Sequence, residues 1–171
     1  MSVELVPLGH ELLAALAGGR HEEAARRLGV AIPTDWPDDH DAAFFALRAR
    51  ERLPLEWSVY ALVDDGAMVG HAGFHGPPGR NGPGYADGVE IGYTVFPAFR
   101  RRGYAQAAAR GLVALARSRG VARVVASVAP DNDPSLAVVR KLGFVHTGEQ
   151  WDEEDGRELV FELQLFRVKD A

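Results

Sequence analysis

The sequence predicts an α/β (α+β) domain in which a central sheet is covered by helices. Short apolar runs rich in β-branched and aromatic residues recur from residue 3 to residue 166. Segments with the apolar spacing of helices lie between these runs. The chain has 171 residues, of which 47% are hydrophobic, and this is enough for one well-filled core. We therefore expect a single domain over residues 1–171.

The first 55 residues predict one strand and two helices. VELVPL is apolar enough for a strand, and the leucines and alanines between residues 12 and 28 have helical spacing. Pro33 and Pro37 then interrupt regular structure. An aspartate at position 38 or 39 can cap a second helix that carries Phe44 and ends before Pro54.

Residues 56–95 predict three strands. EWSVYALV, the turn DDG and AMVGHAGF form a hairpin, and VEIGYTV is the next strand. Between them lies GPPGRNGPGYADG, residues 76–88, here called the Gly/Pro loop. Its composition excludes helix and strand over most of its length, so we expect a mobile flap or, less favourably, a linker.

The remaining residues predict two helices and three strands. A helix runs from about Gly103 to Arg119, ARVVASVA is a strand, and DNDPSLAVVRKLG has the cap, early proline and final glycine of a helix. Residues 144–166 then read as two strands around the acidic turn DEEDG, which is expected to be solvated and only secondarily a docking site for a cationic acceptor.

Composition excludes several function classes. A net charge of -5 argues against a nucleic-acid binder, because phosphate neutralisation requires a broad basic surface. The absence of cysteine excludes disulfides, thiol nucleophiles and cysteine-based zinc sites. No basic leader and no apolar run of about 18 residues is present. We therefore expect a soluble, cytoplasmic protein without nucleic-acid or membrane partners.

The stretch FRRRGYA, residues 99–105, predicts an anion site. A strand ends near Val95 and a helix begins at Gly103, so unpaired amides and the positive helix end meet there. Gly103 permits close backbone approach, Ala105 keeps the first turn clear, and the arginines at 100–102 add donors for phosphate oxygens. The alternative is a solvated loop followed by an ordinary turn. No P-loop or G-x-G-x-x-G dinucleotide motif occurs.

Two motifs carry a family resemblance. Arg100-x-x-Gly103-x-Ala105, behind VEIGYTV and opening a long helix, resembles the coenzyme A pyrophosphate motif of the GNAT acyltransferase superfamily. Asn132-x-x-Ser135, followed by LAVVRKLGF, is similar to that family's downstream motif. Together they look most like the branch of ribosomal-protein amino-terminal acetyltransferases (RimJ/RimL-like) and its small-molecule relatives. The first 55 residues match the family only in the order of elements.

The resemblance implies the GNAT fold and acetyl-CoA as co-substrate, with no metal. That fold has a mixed, mostly antiparallel sheet of about six to seven strands and about four helices. VEIGYTV and ARVVASVA would be a parallel pair that splays apart around the pantetheine arm, and Tyr104 would pack against the coenzyme or the core. The implied coenzyme-binding residues are Thr94, Val95, Arg100, Arg101, Arg102, Gly103, Tyr104, Ala105 and Asn132.

Glu90 is the favoured general base. It lies in an otherwise apolar strand and shares one face with Gly92 and Thr94, which leave space beside it. The carboxylate could take the amine proton directly or through water. The structural alternative is an ordinary edge or solvent-facing glutamate. His71 and His75, which share one face of the preceding strand, are alternative bases.

Ser135 is the favoured general acid, because the resemblance places a hydroxyl there for the departing thiolate. The alternative is that Ser135 caps the helix. Asn132 is expected to position pantetheine or to fix the loop. Trp57 and Trp151 are expected in the core or a pocket wall, and Trp36 in an acceptor pocket.

The predicted function is transfer of an acetyl group from acetyl-CoA to a primary amine, either a peptide amino terminus or a small-molecule amine. A non-catalytic coenzyme A binding module of the same fold is one alternative. A donor more anionic than acetyl-CoA, such as succinyl-CoA, is suggested by the three consecutive arginines. A nucleotide-binding protein is a third, less supported alternative. The chain is expected to be a monomer or a homodimer, since VFELQLF could pair across an interface or complete the sheet.

Overall fold

The computed structural model describes residues 2–166; residue 1 and residues 167–171 of the expected domain lie outside the described residues. The helices and strands are, in chain order, β1 (Glu4–Pro7), α1 (His10–Ala17), α2 (His21–Leu28), α3 (Asp39–Glu51), β2 (Val59–Asp64), β3 (Ala67–Phe74), β4 (Gly88–Val95), α4 (Tyr104–Ser118), β5 (Arg123–Val128), α5 (Asp133–Lys141), β6 (Val145–Asp152) and β7 (Gly156–Gln164).

In this part of the chain the strands form one seven-stranded sheet in the order β1-β2-β3-β4-β5-β7-β6. β4 and β5 are parallel, and every other neighbouring pair is antiparallel. The Gly/Pro loop joins β3 and β4, which are adjacent in this sheet, so it is a connection within the sheet and no linker. The predicted mixed, mostly antiparallel sheet with one parallel pair is confirmed.

Five helices within residues 2–166 cover the sheet, one more than expected, because three of them precede β2. The segment from residue 12 to residue 28, which we predicted as one helix, is divided into α1 and α2 at Gly18 and Gly19. Glycine is the poorest helix former after proline, so the pair stops α1 even though the apolar spacing continues. α3 begins as predicted, where the Asp38 carboxylate accepts a hydrogen bond from the Asp41 amide at 2.8 Å.

Both faces of the sheet are buried, because α1 to α3 cover one face and α4 and α5 the other. β2 shows this directly: Val59 and Ala61 belong to a cluster with residues of α1 and α3, whereas Tyr60 and Leu62 belong to a cluster with α4 and α5. Alternate side chains of a strand point to opposite faces. The fold is therefore a three-layer arrangement in which both faces of the central strands are buried.

The end of the sheet formed by β7 and β6 corrects two expectations. β7 is paired on both sides, with β5 and β6, so VFELQLF cannot add a partner strand across an interface. Trp151, on the edge strand β6, is 77% exposed rather than buried in the core or a pocket wall. No helix within residues 2–166 has the length and apolar character needed to cross a membrane.

Candidate active site

The site is built on the opening between β4 and β5. Their parallel ladder pairs only the first three residues of each strand and stops at Glu90 and Val125, although the strands continue to Val95 and Val128. Beyond that point the strands diverge around a cleft of about 230 Å³, here called the strand cleft. Its wall includes Gly92 and Tyr93 from β4, Ser127 from β5, and Asn132 and Ser135 from the start of α5.

Unpaired amides lie at the start of α4. Within residues 2–166, the backbone N–H groups from Arg101 to Gln106 donate to no backbone carbonyl, and the first such bond is Ala107 N–H to Gly103 O. Gly103 has φ 83° and Arg101 φ 63°, both in the left-handed region. Six successive donors without a backbone acceptor therefore lie at the positive end of a 15-residue helix, where anions such as phosphate bind.

The three arginines of this turn have different surroundings. The Arg100 Nε donates to the Val95 carbonyl at 3.1 Å, and the Arg102 guanidinium lies 5.6 Å from the centre of the Phe99 ring. Arg101 is exposed. Tyr104, which directly follows Gly103, is 6% exposed in the core, and its hydroxyl donates to Asp64 at 2.6 Å. Only the backbone N–H of Tyr104 is therefore placed to meet an anion.

A larger cavity of about 560 Å³ lies on the face covered by α3, and it is called here the acceptor cavity. α3 contributes Asp41 and Phe44, β3 contributes His71, His75 directly follows β3, and the acidic turn between β6 and β7 contributes Asp155. Gly92, Tyr93 and Asp155 line both cavities. The two cavities therefore meet beside β4, at the point where it separates from β5.

Glu90 is buried behind this meeting point. It is 3% exposed in a central strand, which excludes an edge or solvent-facing position. One carboxylate oxygen accepts from the Gly82 amide of the Gly/Pro loop at 2.6 Å, and the other accepts from the Ser127 hydroxyl at 2.7 Å. Glu90 is not among the residues that line either cavity. Its carboxylate reaches a ligand only through a neighbouring group.

Two neighbours of Glu90 line a cavity: Ser127 lines the strand cleft, and His75 lines the acceptor cavity. His75 is the one that faces the acceptor side. Its Nδ1 lies 3.7 Å from the nearer Glu90 oxygen, while the ring lines the acceptor cavity and about half of the side chain is exposed. A Cβ on Gly92 would lie 3.4 Å from His75 Nε2, so the ring of His75 lies directly over this glycine. Desolvation lowers the pKa of His75, and the Glu90 carboxylate acts in the opposite direction.

His71 has a different environment from His75. It is 6% exposed and lies among the rings of Trp36, Phe44 and Phe45, with Nε2 3.5 Å from an Asp41 oxygen. The Trp36 N–H donates to the same carboxylate at 2.6 Å. We predicted that Trp36 lines the acceptor pocket, but it contacts Asp41 and is not part of the cavity wall. His71 and the Trp36 N–H lower the pKa of Asp41 to about 2.

Asp38, His40 and Asp41 could bring ligand atoms within 4.8 Å of one another. These three belong to one capping turn, and two of the carboxylates already accept hydrogen bonds from the chain. This cluster therefore does not indicate a metal centre.

Asn132, rather than Ser135, caps α5. The Asn132 side-chain oxygen accepts from the Ser135 amide at 3.3 Å, and this leaves the Ser135 hydroxyl outside the cap. Ser135 is half-buried and lines the strand cleft. The capping alternative for the serine is therefore wrong, and Asn132 fixes the loop that presents it.

Sequence reasoning missed Asp41, Tyr93 and Ser127 as site residues. Ser127 left a signal, since it is a polar residue in the otherwise apolar run ARVVASV. Asp41 and Tyr93 left none, because the aspartate resembles an ordinary helix-start carboxylate and the tyrosine resembles one more apolar position of β4. Their roles arise only where α3 packs on β3 and where α5 begins beside β4.

Comparison with known proteins agrees with this geometry. Residues 3–145 match the acetyltransferase (GNAT) domain family. The uncharacterised N-acetyltransferase YjdG of Bacillus subtilis (strain 168) is 31% identical over 136 residues, which are 75% of this chain and 78% of that protein.

Two solved structures illustrate the likeness of fold. The structure of yncA from Salmonella typhimurium with acetyl-CoA is similar with a TM-score of 0.63 and 21% identity, over 100% of this chain and 98% of that chain. A ribosomal-protein-alanine N-acetyltransferase from Brucella melitensis is similar with a TM-score of 0.61 and 20% identity, over 94% of this chain and 99% of that chain.

Proposed function

Because this chain belongs to the acetyltransferase (GNAT) domain family, we propose that it transfers the acetyl group of acetyl-CoA to a primary amine held in the acceptor cavity. The observation that carries the proposal is the meeting of the two cavities at Gly92 and Tyr93. A thioester in the strand cleft and an amine in the acceptor cavity would come together there and nowhere else along β4.

The residues present fit coenzyme A. We propose that the free amides from Arg101 to Ala105 hold the pyrophosphate, with Arg100, Arg101 and Arg102 adding positive charge around it. Main-chain groups at Thr94 and Val95 would bond the pantetheine arm, since β4 and β5 no longer pair with each other there. Asn132 keeps the start of α5 beside this arm. When bound, acetyl-CoA supplies an activated acyl group on a good leaving group.

We propose that His75 removes the amine proton and that Glu90 acts through it as a positioning residue. His75 lines the acceptor cavity, whereas Glu90 lies behind the ring with both oxygens already bonded. A lowered pKa keeps the imidazole neutral near pH 7, as a general base requires, and the carboxylate stabilises the imidazolium once it forms. This refines the sequence prediction, in which Glu90 itself met the amine.

Ser135 is proposed to face the sulfur atom. Its hydroxyl is free of the helix cap and lines the strand cleft, so it can donate a hydrogen bond to the departing thiolate. The bond that forms joins the amine nitrogen to the acetyl carbon, and the bond that breaks joins that carbon to sulfur. The nitrogen loses one proton and the sulfur gains one. His75 and Ser135 then return to their starting protonation states by exchanging protons with solvent.

The acceptor is proposed to be a peptide amino terminus or a small-molecule amine, as in the RimJ/RimL-like branch. A ribosomal-protein acetyltransferase is among the structural neighbours, but at 20% identity it supports only the fold. The arginines at 100–102 would lie at the phosphate end of the coenzyme, far from the acyl group, and so they give no reason to prefer succinyl-CoA.

We also propose that residues 1–171 form one domain.

The test is calorimetric binding of acetyl-CoA and of coenzyme A, followed by thiol release with a panel of peptide and small-molecule amines. We expect both coenzymes to bind with one site per chain, and thiol release with one class of amine. Succinyl-CoA serves as the comparison donor and is expected to be the poorer one. Binding without thiol release from any amine would contradict the proposed transfer, and absence of binding would contradict the coenzyme site.

A further inference from the structure

The chain has four tyrosines, and three of their hydroxyl groups have a clear acceptor. Tyr60 donates to the Glu56 carbonyl at 3.0 Å, Tyr85 to Glu162 at 2.9 Å, and Tyr104 to Asp64 at 2.6 Å. The Tyr93 hydroxyl is buried and has no partner within hydrogen-bonding geometry among residues 2–166. A buried donor left unpaired costs free energy, so this exception requires an explanation.

Tyr93 lies where the chemistry would occur. It is on β4 beyond the last residue paired with β5, and it lines both the strand cleft and the acceptor cavity. Ser135 lines the same cleft and is half-buried, whereas the Tyr93 oxygen is inaccessible. The two residues therefore share the wall of one cleft, with the phenol oxygen of Tyr93 buried and the Ser135 side chain partly accessible.

Tyr93 and Ser135 are neighbours in the wall of the strand cleft. Burial raises the pKa of Tyr93, and the nearby Ser135 hydroxyl opposes this shift. The two groups do not meet the geometry of a hydrogen bond in this structure, so the phenol proton is still free to be donated.

The proposed reaction needs an acid that Ser135 alone does not provide. An aliphatic hydroxyl is a far weaker acid than a thiol, whose ordinary pKa is about 8.5. A serine that gave up its proton would become an alkoxide, which is unfavourable unless the proton is replaced at once. A phenol, with an ordinary pKa of about 10, matches a thiol much more closely.

We propose that Tyr93 is the proton source for the departing thiolate and acts through Ser135. This inference rests on the proposed function. As the carbon–sulfur bond breaks, the electron pair stays on sulfur, Ser135 gives its proton to the sulfur, and Tyr93 gives its proton to the Ser135 oxygen. Once the thiol has left, the phenolate takes back a proton from the Ser135 hydroxyl, which is in turn reprotonated by solvent in the cleft. Tyr93 is thus a positioning residue, because its hydroxyl acts on the sulfur only through Ser135.

The first readout needs no acceptor and no turnover. Coenzyme A is bound to the wild-type protein and to Tyr93→Phe, and the bound thiol is titrated by its near-ultraviolet thiolate absorbance. Since Tyr93 supports the hydroxyl that stabilises the thiolate, the substitution is expected to raise the pKa of the bound thiol by about one unit. Tyr60→Phe is the matched control, because Tyr60 is another buried tyrosine of the same core and lines neither cavity. An unchanged thiol pKa in Tyr93→Phe would overturn the proposal.

The other readout is the pH profile of acetyl transfer. Tyr93→Phe is expected to lower kcat about 100-fold, to leave the KM for acetyl-CoA nearly unchanged, and to have little further effect in a Ser135→Ala background. Equal losses in coenzyme affinity and kcat would instead assign Tyr93 a purely structural role. Replacing all four tyrosines by fluorotyrosine, which makes the phenol more acidic without changing the fold, should move the basic limb of the profile to lower pH. A basic limb that stays in place would also overturn the proposal.

The failure of this inference is distinguishable from failure of the proposed function. A wild-type protein that binds no coenzyme, or that releases no thiol with any amine, contradicts the function itself. A wild-type protein that transfers acetyl groups while Tyr93→Phe retains its kcat and its thiol pKa contradicts only the role of Tyr93.

Discussion

Among individual residues, the proposed site pairs a side chain that lines a cavity with a buried polar group. His75 and Ser135 line the cavities, with the buried Glu90 carboxylate near the imidazole and the buried Tyr93 hydroxyl in the same cleft wall as the serine. A buried partner holds its orientation without competing for the ligand, and its low-dielectric surroundings strengthen its electrostatic effect. Proton donors and acceptors of the site are therefore best tested in such pairs.

Glu90→Gln tests the pair of His75 and Glu90 by its effect on the pH dependence of kcat. The wild-type carboxylate raises the pKa of His75 against desolvation, so its removal lowers that pKa further. Because the base must be neutral, the acid limb of kcat is expected to move to lower pH, and the maximal kcat to fall about 100-fold with the imidazolium no longer stabilised. The measurement is kcat across a pH series that covers both limbs of the profile.

Glu162→Gln is the matched control for Glu90→Gln. Glu162 is also a buried strand glutamate with two partners, Tyr85 and Arg123, but it lines neither cavity. The Glu162→Gln variant is expected to leave the acid limb of the kcat profile at the wild-type pH. If Glu90→Gln left both the limb and the maximal rate unchanged, Glu90 would have no part in the mechanism.

Among the helices and loops, the start of α4 depends on backbone conformation as much as on charge. Gly103 precedes the helix with φ 83°, and the free amides from Arg101 to Gln106 follow from that turn. The Gly/Pro loop is held by contacts with neighbouring elements. Its Gly82 amide donates to Glu90 of β4, and its Arg80 pairs with Glu51 of α3 at 3.1 Å. Both segments are therefore placed by the strands and helices around them.

Gly103→Ala tests whether the α4 turn binds the coenzyme. A Cβ in the left-handed region costs about 1–2 kcal/mol, and relaxation of the turn would move the amides. We expect the free energy of unfolding to fall by that amount, and the affinity for coenzyme A to fall about tenfold. Gly120→Ala, at the other end of α4, is the control, because it has φ 75° and open space around its Cβ position. Equal coenzyme affinity in the two variants would argue against the anion site.

Across the molecule as a whole, Asp41 links the helical layer to the sheet. It lies in α3, accepts the Trp36 N–H from the preceding loop, and lies 3.5 Å from His71 of β3. Its side chain is 13% exposed, so these partners act with little screening. The contact forms part of the wall of the acceptor cavity as well as the interface between two layers.

Asp41→Asn tests this contact through the pH dependence of stability. The pKa is depressed from 3.8 to about 2 in the folded state, so the carboxylate stabilises the fold above pH 3.8, and that contribution is lost as pH falls through about 2. We expect the Asp41→Asn variant to be less stable than the wild type by about 2 kcal/mol near neutral pH, and by roughly half of that near pH 3. Urea unfolding at both pH values measures the difference. A difference independent of pH would show that lost packing, and not lost charge, is responsible.

Local sequence patterns were enough to predict the order of strands and helices from residue 56 onward, the start of α4 at the arginine turn, and the position of Ser135 at the start of α5. Turn residues, apolar periodicity and helix caps act between residues a few positions apart, so they can be read without knowing the fold. The early helices were predicted less completely, because apolar spacing continues through Gly18 and Gly19 even though the helix does not.

Which candidates meet a ligand depended on the assembled fold. Glu90 and His75 are 15 positions apart, and nothing local shows that the ring faces the cavity while the carboxylate lies behind it. Asp41 reaches His71 only because α3 packs on β3, and Tyr93 reaches Ser135 only because β4 and β5 separate after three paired residues. Burial and unpaired hydrogen-bonding groups are set by contacts between distant segments, and these contacts exist only once all three layers have assembled.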